Sequence, residues 1–314
     1  MDGTFIATLI ADGSLLDSTL RELVHQFGMD WEPVLSVDWI DEGYAADIVF
    51  RSAKTLTATE WSEFAEIVKE RVGHIEHSDH FKETALDVIV QPAVNRRKKL
   101  LVADMDSTMI TVECIDELAD YAGIKDQIAA VTEAAMRGEL DFAEALDARV
   151  ALLKDLEASA IDRCRAERVR LMPGAKALIR TMKAHGARTV LVSGGFTVFA
   201  EPVAAEIGFD VAIANRLGIV DDRLDGLVAK PIVDAATKLT TIEAERAALG
   251  LETAETLAVG DGANDIPMIQ AAGLGVAYHA KPKTAAAAGA RVDHGDLTAL
   301  LWAQGYKRSE WVLD

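Results

Sequence analysis

Residues 98–111 read KKLLVADMDSTMIT. After two lysines comes an unbroken apolar run, Leu100, Leu101, Val102 and Ala103, which stops at Asp104-Met105-Asp106-Ser107-Thr108. A short apolar run bounded in this way fits a strand buried on both faces. Alternate side chains of an extended segment share a face, so Asp104 and Asp106 are expected to point the same way at the strand's carboxyl end. Two such carboxylates repel unless a positive group sits between or beyond them, and a divalent cation with oxygen ligands meets that need. The same residues also fit an Asp-rich turn in which Asp106 or Ser107 caps the next helix. The rest of the chain decides between these readings.

Downstream, residues 111–168 contain no segment that reads as a strand. Ile115, Leu118, Ala119 and Ala122 form one apolar face. Ile128, Val131, Ala134 and Ala135 form a second that ends at Gly138, and Phe142, Leu146, Val150 and Leu153 form a third. A shorter fourth helix fits 158–168, so a helical bundle inserted at about 111–168 is expected. An α/β rhythm follows. A helix opens at Pro173-Gly174, with proline in its first turn, and a strand over 189–192 ends in Ser193-Gly194-Gly195. A helix over 197–207 is followed by a ribbon of 211–220 and 226–232 turned at Asp221-Asp222. Asp234 caps a helix running to Leu249, and a strand over 256–259 ends in Gly260-Asp261-Gly262-Ala263-Asn264-Asp265. A helix over 266–272 and a strand over 274–277 come next. This alternation predicts an α/β fold with a doubly wound, mostly parallel, Rossmann-like sheet.

Upstream, 4–11 (TFIATLIA) is a strand pattern, and Leu15, Leu16, Leu20, Leu23 and Val24 recur at helical spacing. Residues 34–50 read as two strands about Asp41-Glu42-Gly43, Trp61, Phe64, Ile67 and Val68 share a helical face, and 86–90 is a last strand. The pattern is βαββαβ and places one small domain at 1–90. It resembles the ACT-type regulatory fold. The first turn, Ala11-Asp12-Gly13-Ser14, lacks the Asp-Arg-Pro-Gly-like sequence common in ligand-binding domains of that type. Residues 91–99 (QPAVNRRKK) read as a linker, leaving 100–314 for the α/β core and its helical insertion.

Composition narrows the function. Half of the 314 residues are hydrophobic, enough for a sizeable core. With 51 acidic and 32 basic residues the net charge is −19, which opposes nucleic acid and anionic membrane as partners. An anionic substrate then needs local positive groups. Cys114 and Cys164 are the only cysteines, which argues against a disulfide framework and for a reducing cytoplasm. No secretory signal and no uncharged run of membrane-spanning length is apparent. His77, His80 and His279 have no metal-binding spacing and receive no role.

Three strands therefore end in polar clusters, and ligands of open α/β sheets bind beyond the carboxyl ends of strands. Asp104 and Asp106, Ser193 and Gly194, and Asp261, Asn264 and Asp265 can meet there. Ser193 and the glycine N–H groups at a helix start would cradle an anion, and Lys238 would add a fixed positive charge. Together DMDST, SGG, the lysine and GDGAND resemble the four motifs of the haloacid-dehalogenase-type phosphatases. Val112-Glu113 and 145–154 (ALDARVALLK) are similar to the cap of the phosphoserine phosphatase branch, a resemblance spanning roughly 98–290.

The resemblance implies the following roles. Asp104 is the nucleophile that becomes an aspartyl phosphate, and its weak basicity keeps it ionised without an activating base. Asp106 is the general acid and base. Asp104, Asp261 and the backbone carbonyl of Asp106 hold Mg²⁺, with Asp265 orienting them. Ser193, Gly194, Lys238 and Asn264 bind the phosphoryl oxygens. Glu113 and Arg149 read the ammonium and carboxylate of O-phosphoserine. In isolation Glu113 also fits a charge at a helix N-terminus, and Arg149 a surface pair with Asp147. The implied reaction is Mg-dependent hydrolysis of O-phosphoserine to serine and phosphate, the last step of serine biosynthesis. Alternatives are a related capped phosphatase or phosphotransferase on another small phosphate ester, or an inactive amino-acid-binding regulatory protein. The assembly is left between monomer and homodimer. Because every motif lies beyond residue 98, catalysis is expected to be independent of the first ninety residues.

Overall fold

The computed structural model describes residues 3–13, 15–30, 34–52, 56–75, 85–137 and 139–313. Ser14, His77, His80 and Gly138 lie outside them. The chain begins β1 (Thr4–Ile10), α1 (Asp17–Asp30), β2 (Val34–Asp41), β3 (Ala45–Arg51), α2 (Ala58–Ile75) and β4 (Asp87–Pro92). These strands make an antiparallel sheet in the order β2-β3-β1-β4. Alternation along β1 sorts its faces. Phe5, Ala7 and Leu9 pack with the α1 and α2 residues Leu20, Leu23, Phe64 and Val68. On the other face Ile10, Ala45 and Ile89 join the core of the rest of the chain.

The expected linker is tied down. Gln91 and Pro92 complete β4, and Gln91 Nε2 donates to Ala303 O at 2.7 Å. The Arg96 guanidinium bonds Asp47 at 2.6 Å, Trp302 O at 3.1 Å and Ala303 O at 2.8 Å. Burial raises the Asp47 carboxyl above its ordinary value, against the pull of Arg96.

Next come β5 (Leu100–Ala103) and four helices, α3 (Cys114–Tyr121), α4 (Lys125–Met136), α5 (Phe142–Leu152) and α6 (Ser159–Arg168). These form the inserted cap. Asp141 caps α5 in a reciprocal box with Glu144, which sets where that helix starts. The chain continues with α7 (Ala175–Ala184), β6 (Arg188–Phe196), α8 (Thr197–Ile207), β7 (Val211–Asn215), β8 (Leu217–Val220) and β9 (Arg223–Val228). It then forms α9 (Ala235–Ala248), β10 (Thr256–Gly260), α10 (Ile266–Ala271), β11 (Leu274–Tyr278), α11 (Pro282–Ala287), β12 (Ala290–Val292) and α12 (Ala299–Ala303).

Six strands form a parallel sheet in the order β12-β11-β10-β5-β6-β7. Leu101, Ala103, Leu191, Leu257 and Val259 face one buried layer, and Leu100, Val102, Val190, Val192 and Ala258 the other. This two-sided burial explains why the strands read as continuous apolar runs. No helix among the described residues is long and apolar enough to cross a membrane.

Two local expectations are corrected. Pro173 precedes α7 rather than standing in its first turn; the N-cap is Gly174 at φ 81, where a Cβ would stand 2.7 Å from Thr298 N and only glycine fits. The run 211–220 is not one ribbon strand. Residues 211–215 are the sixth strand of the parallel sheet, and only β8 pairs with β9.

Candidate active site

β10, β5 and β6 are neighbours, so the three polar strand ends lie together at one edge of the sheet. A cleft of about 220 Å³ opens there beneath the cap. Asp104, Asp106, Ser193, Gly194, Asp261 and Asn264 line it from the sheet side, and Glu113 and Arg149 from the cap. A wider cleft of about 690 Å³ lies between α6, α8 and the β8–β9 ribbon, but none of the motif residues reaches it.

Asp104 follows β5 directly, its N–H donating to Val259 O of β10 at 3.0 Å. Asp106 is not presented by strand alternation. Residues 106–109 form a turn in which Met109 N–H donates to Met105 O at 2.8 Å and Ser107 adopts φ 55. The turn returns Asp106 to the cleft, where its Oδ1 accepts from Cys114 N–H at 3.3 Å. Asp106 therefore meets the first turn of α3 as well as facing the cleft, as the capping reading of the motif expects. Burial first, and then the Glu113 carboxylate, push Asp106 up to about 7. A Cβ at Gly195 would stand 2.9 Å from Asp106 Oδ2 and 3.1 Å from Ser193 Oγ, so glycine permits this approach.

β6 runs on to Phe196 and α8 opens at Thr197, with Gly195 N–H turning back to Ser193 Oγ at 2.9 Å. That bond uses a lone pair of the hydroxyl and leaves its O–H able to donate. Gly194 is held from behind by Asn215, whose Nδ2 donates to Gly194 O at 2.9 Å and to Val233 O at 3.1 Å. Its Oδ1 accepts from Val233 N–H at 2.7 Å. Sequence reading passed over Asn215; the one available signal was a lone asparagine closing an apolar run.

Lys238 lies behind the cleft, fully buried on α9, with Nζ 2.5 Å from Asp104 Oδ1 and 2.6 Å from Asp265 Oδ1. Burial works against its charge, but Asp104 and Asp265 outweigh that and hold the ammonium above the usual lysine range. Burial and then Asp265 raise the Asp104 carboxyl, and Lys238 is the protein group that opposes them.

Carboxylate oxygens of Asp104, Asp261 and Asp265 lie within 4.8 Å of one another. Burial, then Asp265 and Glu113, push Asp261 up to about 6, with Lys281 and Lys238 opposing. Three crowded, hard oxygen donors fit a divalent cation. Asp265 has one oxygen on Lys238 and the other on Gly262 N–H at 2.9 Å. Asp104 and Asp261 are less committed, the Asp261 side chain accepting a long 3.4 Å contact from Thr108 Oγ1.

Over the cleft, Glu113 is the N-cap residue of α3, and its carboxylate accepts from Ser107 Oγ at 2.9 Å. Arg149 is half-buried, and its Nε donates to Ala145 O at 3.2 Å. Burial lowers the Arg149 pKa, against Asp116 and Glu113. Its expected surface partner is taken, because Asp147 pairs with Lys230 at 2.6 Å. Lys281 and Phe142 also line the cleft and were not singled out from sequence. Cys114 and Cys164 are buried and unpaired, and burial raises both thiols.

Residues 101–270 match the model of the haloacid dehalogenase-like hydrolases. A phosphoserine phosphatase of Streptomyces coelicolor is 48% identical over 223 residues, 71% of this chain and 54% of that protein. With a Mycobacterium tuberculosis relative at 52% coverage, the matched region spans about half the length of the first curated relatives. Among solved structures, an unliganded probable phosphoserine phosphatase from Vibrio cholerae superposes with a TM-score of 0.74 at 32% identity. That likeness covers 98% of this chain and 88% of the other. A phosphoserine phosphatase described as a phospho-aspartyl intermediate analogue superposes at 0.61 with 36% identity, over 66% of this chain and 98% of the other.

Proposed function

The chain belongs to the haloacid dehalogenase-like hydrolase family, and on that premise we propose that its cleft hydrolyses O-phosphoserine to serine and phosphate. The observation that carries the reading is a pair of opposite charges contributed by the cap. Glu113 and Arg149, one of each sign, line the same cleft as Asp104 and Asp106. A small phosphate ester bearing an ammonium and a carboxylate complements that arrangement. Phosphoserine phosphatases among the relatives support the same substrate.

The proposed chemistry runs as two displacements. Asp104, its charge held by Lys238 at 2.5 Å, attacks phosphorus. The serine oxygen leaves and takes a proton from Asp106, whose carboxyl is raised to about 7 and so holds a proton near neutrality. Water then attacks the aspartyl phosphate, giving its proton to Asp106, and phosphate leaves as Asp104 is restored. Ser193 O–H, Gly194 N–H, Lys238 and Asn264 bind the phosphoryl oxygens, Lys238 from its place against Asp104. Asp104, Asp261 and the Asp106 carbonyl would hold Mg²⁺, with Asp265 orienting them. Bound there, the cation would supply charge to offset repulsion between carboxylate and phosphate. The cap residues Phe142 and Leu146 narrow access of water.

We further place the chain in the cytoplasm, as a 1–90 unit joined to a 100–314 hydrolase core. Phosphate release from a panel of phosphomonoesters, with and without Mg²⁺, tests the reading. O-phosphoserine should be the best substrate and should need the metal. Equal rates across the panel would favour a general small-ester phosphatase, and no release from any ester would favour the inactive regulatory alternative.

A further inference from the structure

A residue of the N-terminal unit holds a loop of the hydrolase core. Asp87, the first residue of β4, is 1% exposed. Its Oδ1 accepts from the backbone N–H of Asp293 at 2.7 Å and of His294 at 3.3 Å. Its Oδ2 accepts from His294 at 3.2 Å and Gly295 at 2.7 Å. A Cβ at Gly295 would stand 3.2 Å from Asp87 Oδ2, so glycine serves this contact too. From α2, Lys69 reaches Asp293 at 3.4 Å.

The loop passes the constraint on. Gly295 O meets His279 Nε2 at 2.9 Å, and His279 N–H donates to Val292 O at 2.8 Å. These contacts hold His279 at φ 43, a backbone region that side chains other than glycine rarely adopt. Two residues on, Lys281 N–H donates to Asp261 O at 3.2 Å, and the Lys281 side chain lines the cleft. Asp87, Gly295, His279 and Lys281 thus connect the small unit to the catalytic edge of the sheet.

Charge gives the link a purpose. The chain carries −19, and Asp104, Asp106, Glu113 and Asp261 add local negative charge to the cleft. Lys238 is buried between two carboxylates. Among the described residues lining the cleft, Arg149 and Lys281 carry the positive charge, and Lys281 is exposed. We propose that Lys281 captures the anionic substrate and that Asp87 is a positioning residue that sets Lys281 from the N-terminal unit. The inference rests on the phosphate-ester reading of the cleft. It replaces the expectation that catalysis is independent of the first ninety residues, and it gives His279 a role.

The test is a double-mutant cycle in the full chain with O-phosphoserine. Lys281→Ala should raise KM by about 5- to 10-fold, leave kcat within about twofold, and flatten the salt dependence of kcat/KM. Asp87→Ala should raise KM in the same direction and add little when combined with Lys281→Ala, because its effect passes through that residue. His279→Ala breaks the same relay at an exposed position and serves if Asp87→Ala does not fold. Hydrogen exchange supplies a readout that needs no turnover. Amides of 279–285 should exchange faster in the Asp87 and His279 variants, while β5 and β10 are unchanged. A chain with the wrong proposed substrate would still show that exchange effect, which separates the two readings. Additive KM effects, or unchanged exchange over 279–285, overturn the proposal.

Discussion

The Lys238 ammonium stands 2.5 Å from the Asp104 carboxylate, with the lysine side chain 0% exposed and the aspartate 8%. A buried pair of this kind is a weak source of net stability, but removing one member strands the other charge. Lys238 also holds Asp265, so its loss strands two carboxylates. Lys238→Met should therefore destabilise the fold by about 3–5 kcal/mol in urea unfolding and remove turnover. Lys238→Arg should not restore turnover, since a planar guanidinium does not fit a site shaped for one point charge. A Lys238→Met protein of unchanged stability would contradict the arrangement.

Substrate choice should split between the two cap residues. Arg149→Ala should cost about 2–5 kcal/mol in kcat/KM for O-phosphoserine but little for phosphoethanolamine, which lacks the carboxylate. Glu113→Ala should spare 3-phospholactate, which lacks the ammonium. The comparison uses kcat/KM ratios between substrates for each variant. Equal losses on every ester would assign both residues to cap closure or folding instead.

The pH profile should report Asp106. The first displacement needs its proton, so kcat/KM should fall as pH rises past about 7, the value to which burial and Glu113 bring it. Glu113→Gln removes a neighbour that raises Asp106, so the fall should move to lower pH. The substrate's own ionisation is common to both proteins and cancels in the comparison. A limb that stays in place in Glu113→Gln would show that Asp106 is not the titrating group.

Stability at alkaline pH should report Lys98, which lies 3% exposed with Nζ on Asn95 O and Ala254 O. Burial, and then Arg96, lower it from 10.5 to about 8. Between those values the unfolded chain binds the proton and the folded chain does not, so stability rises with pH. The gain from this group should be on the order of 3 kcal/mol across that window. Below about pH 8 the group stays protonated in both states and contributes no slope. Difference unfolding curves of wild type and Lys98→Met should show the rise lost in the variant.

The strand ends were legible because each buried apolar run stops abruptly at polar residues, as at Ala103-Asp104 and Gly260-Asp261. Sheet order then made the ends of β5, β6 and β10 meet. What periodicity could not show is where a buried polar residue points. Lys238 is expected from sequence as a fixed positive charge of the anion site, and only the packing of α9 shows that its ammonium is buried against Asp104 and Asp265. Asn215 read as part of a ribbon because its inward hydrogen bonds to Gly194 and Val233 are set by tertiary packing. Lys281 and Asp87 were illegible for a related reason. The contacts joining Asp87 to 293–295 span more than 200 residues of chain.

Acid-quenched enzyme, caught during turnover of O-phosphoserine and mapped by peptide mass, tests the covalent role of Asp104 most directly. One added phosphoryl group is expected, on the peptide containing Asp104, with neither adduct nor turnover in a folded Asp104→Asn protein. Near-normal turnover in Asp104→Asn, or a phosphoryl group on another residue, would contradict that role.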